Sequence, residues 1–130
     1  MYRFICNIIK GFMCLVFRIK VTGNDNIPKD GPFIICANHI SAWDAPLLQC
    51  FIKRRIFFMA KEELFKGLPG ILFRNIGLIK VYRGRSNPNA VIEAEKILNN
   101  GGTVGIFPEG TRNKGKDELL RFRHGAVAIA

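Results

Sequence analysis

A histidine stands five residues before an aspartate in Asn38-His39-Ile40-Ser41-Ala42-Trp43-Asp44. An imidazole takes a proton from a hydroxyl when one ring nitrogen faces it. A carboxylate on the other nitrogen holds the tautomer and steadies the imidazolium. Such a pair needs no serine nucleophile if the substrate brings its own hydroxyl. Taken alone, it reads first as a local turn: His39 bonded within its own loop, Asp44 capping the next helix, Ser41 a turn residue. A second constellation, Phe107-Pro108-Glu109-Gly110-Thr111-Arg112, puts a carboxylate, a hydroxyl and a guanidinium on one glycine turn. Arginine offers phosphate a planar fork, and threonine and backbone N–H groups add donors. Glu109 is placed there to orient Arg112 or to hold a substrate hydroxyl; a surface turn with a local ion pair is the plainer alternative. Arg83, followed by Gly84 and Arg85, makes a basic loop, either for phosphate or simply solvated. Lys114, Lys116, Arg121 and Arg123 add positive charge beyond Gly110. Lys53-Arg54-Arg55 reads as a solvated helix end, and His124 as structural.

Elements must bring these residues together. Pro32–Asn38 (PFIICAN) reads as a buried strand, Arg55–Ala60 as a second, Ile76–Tyr82 as a third and Thr103–Phe107 as a fourth. Asp44, as N-cap with Pro46 in the first turn, opens a helix running through Ile52. Lys61–Phe73 is a helical stretch broken at Pro69 and Gly70. Asn87-Pro88 opens the clearest helix, with apolar residues at Ala90, Val91, Ala94, Ile97 and Leu98 and a stop at Gly101. Phe122–Ala130 begins another helix or strand. This alternation predicts an α/β fold, a mixed, mainly parallel sheet flanked by helices. Functional groups in such sheets gather at the carboxyl ends of strands. Asn38-His39, Arg83 and Pro108-Glu109-Gly110 all fall just after strands.

The first twenty residues, MYRFICNIIKGFMCLVFRIK, are too few in their apolar part to cross a bilayer, which needs about 20 apolar residues. A helix here shares Arg3, Asn7 and Lys10 on one face and is otherwise apolar. That pattern suits a helix lying in the membrane interface, or one packed on the domain's own core. The chain has 130 residues, 48% hydrophobic and 23% charged, enough for one domain with a core. Lys and Arg number 20 against 10 Asp and Glu, a formal charge of +10 that calls for an acidic partner. Nucleic acid is not that partner, because aromatic residues are not interleaved with the basic ones and no nucleic-acid motif is present. The spacing of Cys6, Cys14, Cys36 and Cys50 excludes zinc-ribbon and thioredoxin-like sites; all four read as buried free thiols.

Asn38-His39-(x4)-Asp44, then Gly77 to Arg83, then Phe107–Arg112, in this order and spacing, resemble the glycerolipid acyltransferase family, with the closest likeness to bacterial 1-acyl-glycerol-3-phosphate (lysophosphatidic acid) acyltransferases. Gly23–Pro28 and Lys61-Glu62-Glu63-Leu64 share the likeness, which covers essentially the whole chain. The resemblance implies an O-acyltransferase that moves a fatty acyl group from a thioester to the free hydroxyl of 1-acyl-glycerol 3-phosphate, without an acyl-enzyme intermediate. His39 would be the general base and Asp44 its orienting partner. Arg83, Glu109, Gly110, Thr111 and Arg112 would hold the glycerol phosphate. No cofactor and no metal are implied. The donor would be acyl-CoA or acyl-acyl carrier protein, the acceptor lysophosphatidate, and the place of work the anionic cytoplasmic face of the cell membrane. An acceptor such as glycerol 3-phosphate or another lysophospholipid, or a non-catalytic anionic-lipid-binding module, stands as the alternative. Asn113 takes a position where the family often has Ser, and reads as peripheral. Family members also continue through a late Pro-containing apolar motif. Residues 1–20 are thus expected to be an amphipathic membrane-interface segment and 21–130 a C-terminally incomplete acyltransferase domain.

Overall fold

Four short apolar runs become strands: β1 (Phe33–Cys36), β2 (Ile56–Lys61), β3 (Leu78–Val81) and β4 (Thr103–Ile106). The structure, a computed structural model, describes residues 2–66, 77–82, 86–115, 118–124 and 129. The described strands form one sheet in the order β1-β4-β2-β3, and every pairing is parallel. Cys36 stands opposite Ile106, and Phe58 opposite both Gly105 and Leu78. All carboxyl ends therefore open on one edge, where the loops after β1 and β4 lie side by side. Ala37 N–H extends the β1–β4 ladder to Ile106 O at 3.1 Å.

β4 is buried at all four positions, as the inner strand of a sheet covered on both faces must be. In β2, Ile56 and Phe58 point to one face, where they join Ile52, Leu48, Ile35 and Phe107. Phe57 and Met59 point to the other, against a cluster of Ile79, Val104, Ile106, Ala90 and Ala94. The last two belong to the helix Pro88–Asn99, called α3 here, which places small residues against the sheet. Two further helices are α1 (Tyr2–Val16) and α2 (Asp44–Phe51).

Some local expectations need correction. In Lys53-Arg54-Arg55, read as a solvated helix end, Lys53 and Arg55 are exposed but Arg54 is tied down. Arg54 donates to Gly31 O and Gly101 O, both at 2.6 Å, and lies over the Phe33 ring. It latches the turn before β1 to the loop before β4. Arg55 lies over the rings of Tyr2 and Phe57. All four cysteines are free, but only Cys6 and Cys50 are buried. Cys14 is on the outward side of α1 and Cys36 ends the edge strand, so neither is covered. The stretch after β2 contributes a 3-10 turn at Glu62–Phe65; residues 67–73 lie outside the described ones. Phe122 to His124 are neither helix nor strand, and Ile129 is helical and buried.

α1 packs against α2 and buries Cys6 and Met13. Arg3, Asn7 and Lys10 stay exposed along one face, which borders the domain. Arg3 donates to Lys53 O at 3.0 Å and Lys10 sits 5.0 Å over the Phe51 ring. Phe4, Ile8, Phe12 and Leu15 are left exposed along the other side. No helix among the described residues is long and apolar enough to cross a membrane.

Candidate active site

The site sits where the loops after β1 and β4 meet at the carboxyl edge. His39 Nδ1 lies 3.0 Å from Asp44 Oδ2. That same oxygen accepts the backbone N–H groups of Ile40 and Ser41, each at 2.8 Å. A carboxylate oxygen offers only acceptance, so Nδ1 carries the proton and donates it, leaving Nε2 as the basic nitrogen. Asp44 heads α2 but caps none of its N–H groups. Its carboxylate turns back to the preceding loop, which rules out the simple helix-cap reading of this residue. The Ser41 hydroxyl accepts from Trp43 N–H at 3.2 Å, a turn role. The His39 and Asp44 side chains are 21% and 23% exposed, enough for a substrate to reach the ring.

Beneath His39 is a stack. Its ring lies on Phe107 at 4.1 Å between centroids and 18° between planes, and Phe107 lies on Phe58 at 5.4 Å. Gly105 makes room for this column: a Cβ there would fall inside the Phe58 ring's contact distance and 2.8 Å from Ile56 Cγ2.

Glu109 is only 2% exposed. Its Oε1 accepts His39 N–H at 3.1 Å and its Oε2 accepts Leu120 N–H at 3.0 Å. It pairs with backbone donors rather than with Arg112, and it ties three segments under the site. Gly110 closes the turn, donating to Phe107 O at 2.9 Å with φ +67°, a left-handed value that glycine adopts freely. Thr111 is half-buried and Arg112 exposed. Arg83 lies outside the described residues. Asn113 is not peripheral: it is buried, its N–H donates to His39 O at 2.6 Å, and its Oδ1 accepts from Gly115 N–H at 3.0 Å. The backbone of His39 is thus held on its N–H by Glu109 and on its carbonyl by Asn113. Sequence reasoning missed Asn113, Phe107 and Phe58 in this setting. The adjacency of Phe107 and Asn113 to the glycine turn was the available signal; the Phe58 contact has none in sequence. Among the described residues no three His, Cys, Asp or Glu side chains converge as a metal site.

A family model described as Acyltransferase matches residues 18–130. The chain belongs to the acyltransferase family. This acyltransferase-family chain is 34% identical over 132 residues to the 1-acyl-sn-glycerol-3-phosphate acyltransferase of Bacillus subtilis, covering 100% of this chain and 65% of that one. It is 38% identical over 117 residues to the protein of the same name from Borreliella burgdorferi, covering 87% and 46%. Its fold is similar to the crystal structure of the 1-acyl-sn-glycerophosphate (LPA) acyltransferase of Thermotoga maritima, with a TM-score of 0.76, 34% identity, and 98% and 53% coverage. The chain therefore spans 65% or less of the length of each of these relatives. The parallel sheet with helices matches that neighbour's fold.

Proposed function

We propose that this chain carries the reacting centre of an O-acyltransferase that moves a fatty acyl group from a thioester to the free hydroxyl of 1-acyl-glycerol 3-phosphate, making phosphatidic acid. The observation that carries the reading is the His39–Asp44 bond on the carboxyl edge, with Nε2 left as the base. The names of the relatives supply the reaction and acceptor class.

The acceptor O–H gives its proton to His39 Nε2 as its oxygen attacks the thioester carbonyl carbon. Asp44 steadies the imidazolium. The tetrahedral adduct then expels the thiolate, which takes that proton from Nε2. An ester and a free thiol result, and the pair returns to its starting state. Arg83, Thr111 and Arg112 hold the acceptor phosphate on the turn that Gly110 closes, so that proximity supplies much of the rate. Glu109 serves that clamp by shaping the loop, since both its oxygens face backbone N–H groups. The donor is acyl-CoA or acyl-acyl carrier protein.

The protein works at the anionic cytoplasmic face of the membrane, on which α1 rests. Phe4 is 69% exposed, Ile8 57%, Phe12 58% and Leu15 86%. Their spacing of four, four and three residues keeps them on one side of a helix, an apolar row suited to the headgroup boundary. The formal charge of +10 favours the anionic leaflet.

The test is acyl transfer with labelled acyl-CoA and acyl-acyl carrier protein in separate arms, on membranes carrying the protein. Phosphatidic acid formed from lysophosphatidate is the expected product. Acylation of glycerol 3-phosphate or another lysophospholipid in its place would move the acceptor assignment.

A further inference from the structure

The segment 118–124 lies against the glycine turn and is fastened to it twice. Leu120 N–H donates to Glu109 Oε2 at 3.0 Å, and Arg123 N–H donates to Pro108 O at 2.7 Å. The Arg123 side chain then crosses Gly110. A Cβ on Gly110 would stand 2.8 Å from Arg123 Cδ and 2.9 Å from its Nε. The glycine thus serves the left-handed turn and leaves a path for the arginine. A cavity of about 500 Å³ opens here, lined by Thr111, Leu120, Arg121, Arg123 and His124 together with Glu109.

The lining has one acid, and its two oxygens already accept backbone N–H groups while the residue is 2% exposed. Neither Arg121 nor Arg123 forms an ion pair with a described residue. Arg121, Arg123 and Thr111 thus line a cavity whose one carboxylate is already engaged with backbone donors. Guanidinium forks match phosphate oxygens, and a threonine hydroxyl adds a donor. The cavity touches the reacting centre through Glu109, which also holds the His39 backbone.

We propose that Arg121 and Arg123, with Thr111, form a phosphate-ester subsite beside His39, with Arg123 held in place by its path over Gly110. The ligand class rests on the proposed function: the phosphate is that of the acyl acceptor or that of the thioester donor. Arg121 and Arg123 bind it and take no part in the proton transfer.

The experiment is isothermal titration of the purified protein with glycerol 3-phosphate in one arm and coenzyme A in the other. The variants are Arg121→Gln, Arg123→Gln, Arg123→Lys and, as a charge control on the far helix α3, Lys96→Gln. Thermal unfolding checks that each variant is folded. Binding weakened about tenfold or more by Arg123→Gln, partly restored in Arg123→Lys and unchanged in Lys96→Gln, supports the subsite. The arm that shows the loss names the source of the phosphate. In turnover the same variant raises KM for that substrate and leaves kcat near wild type. Wild-type binding of neither probe, binding unaffected by both glutamine variants, or a loss equalled by Lys96→Gln overturns it. Arginine-dependent binding without acyl transfer would remove the proposed function and leave the subsite; acyl transfer with unchanged KM in both variants would do the reverse.

Discussion

The carboxylate of Asp44 accepts three donors on a single oxygen: the His39 ring and two backbone N–H groups. That crowding orients the imidazole before any substrate arrives. Glu109 does similar service one layer down, and a carboxylate is the side chain that can accept on both oxygens at once. Glu109→Gln keeps the shape but turns an NH2 group toward one of the two N–H donors. A buried donor left without an acceptor costs about 1–3 kcal/mol. The variant is expected to lose that much stability by thermal or denaturant unfolding, and to lower kcat as the His39 backbone shifts. Cys50 gives a pH dependence. Burial pushes its thiol up to about 12, with Cys6 beside it adding to the rise. The fold holds the proton that the unfolded chain releases near 9.0. This contribution is therefore complete below about pH 9 and is lost as pH rises toward about 12. Unfolding curves across that range should fall more steeply for the native protein than for Cys50→Ala.

At the scale of elements, the parallel sheet does the positioning. β1 and β4 are neighbours with Cys36 opposite Ile106, so residues 70 positions apart in sequence, His39 and Glu109, come within 3.1 Å. Gly105 on β4 lets Phe58 approach, and Phe58 supports Phe107 under His39. Gly105→Ala is expected to destabilise the protein by about 1–3 kcal/mol through overpacking and to lower kcat by disturbing the column, read by unfolding and by initial rates. The strands and α3 were legible because short apolar runs and helical spacing announce themselves locally. So was the juxtaposition of the two loops, once the strands were parallel. The burial of Glu109 and Asn113 was not legible: both stand in a polar turn, and what covers them comes from His39 and Leu120, far off in sequence. Arg54 failed for the same reason. A basic run after a helix looks identical whether it is solvated or, as here, hydrogen-bonded to carbonyls at Gly31 and Gly101.

For the whole molecule, the membrane role we propose has α1 and the charge excess act together. The helix keeps Arg3 and Lys10 exposed but in contact with Lys53 and Phe51, and leaves its apolar row outward. The exposed row adds little to folded stability, so removing it should cost membrane affinity alone. Phe4→Ser with Phe12→Ser is expected to weaken binding to anionic phospholipid vesicles by roughly a hundredfold or more, each buried Phe contributing about 1.5–3 kcal/mol. Melting should stay near wild type. Sedimentation with vesicles checks the first and thermal unfolding the second; unchanged sedimentation would take α1 away from the membrane.

The central claim is that His39, oriented by Asp44, is the base for acyl transfer. It is tested most directly by initial rates of transfer to lysophosphatidate for the protein carrying this chain, for His39→Ala and for Asp44→Asn, with melting curves as the control for folding. A general base supplies about 10²–10⁴-fold, so His39→Ala should lose turnover by that factor, with KM for the acceptor little changed and the fold intact. Asp44→Asn should fall in the same direction, because an amide no longer steadies the imidazolium. Wild-type turnover in folded His39→Ala would contradict the mechanism.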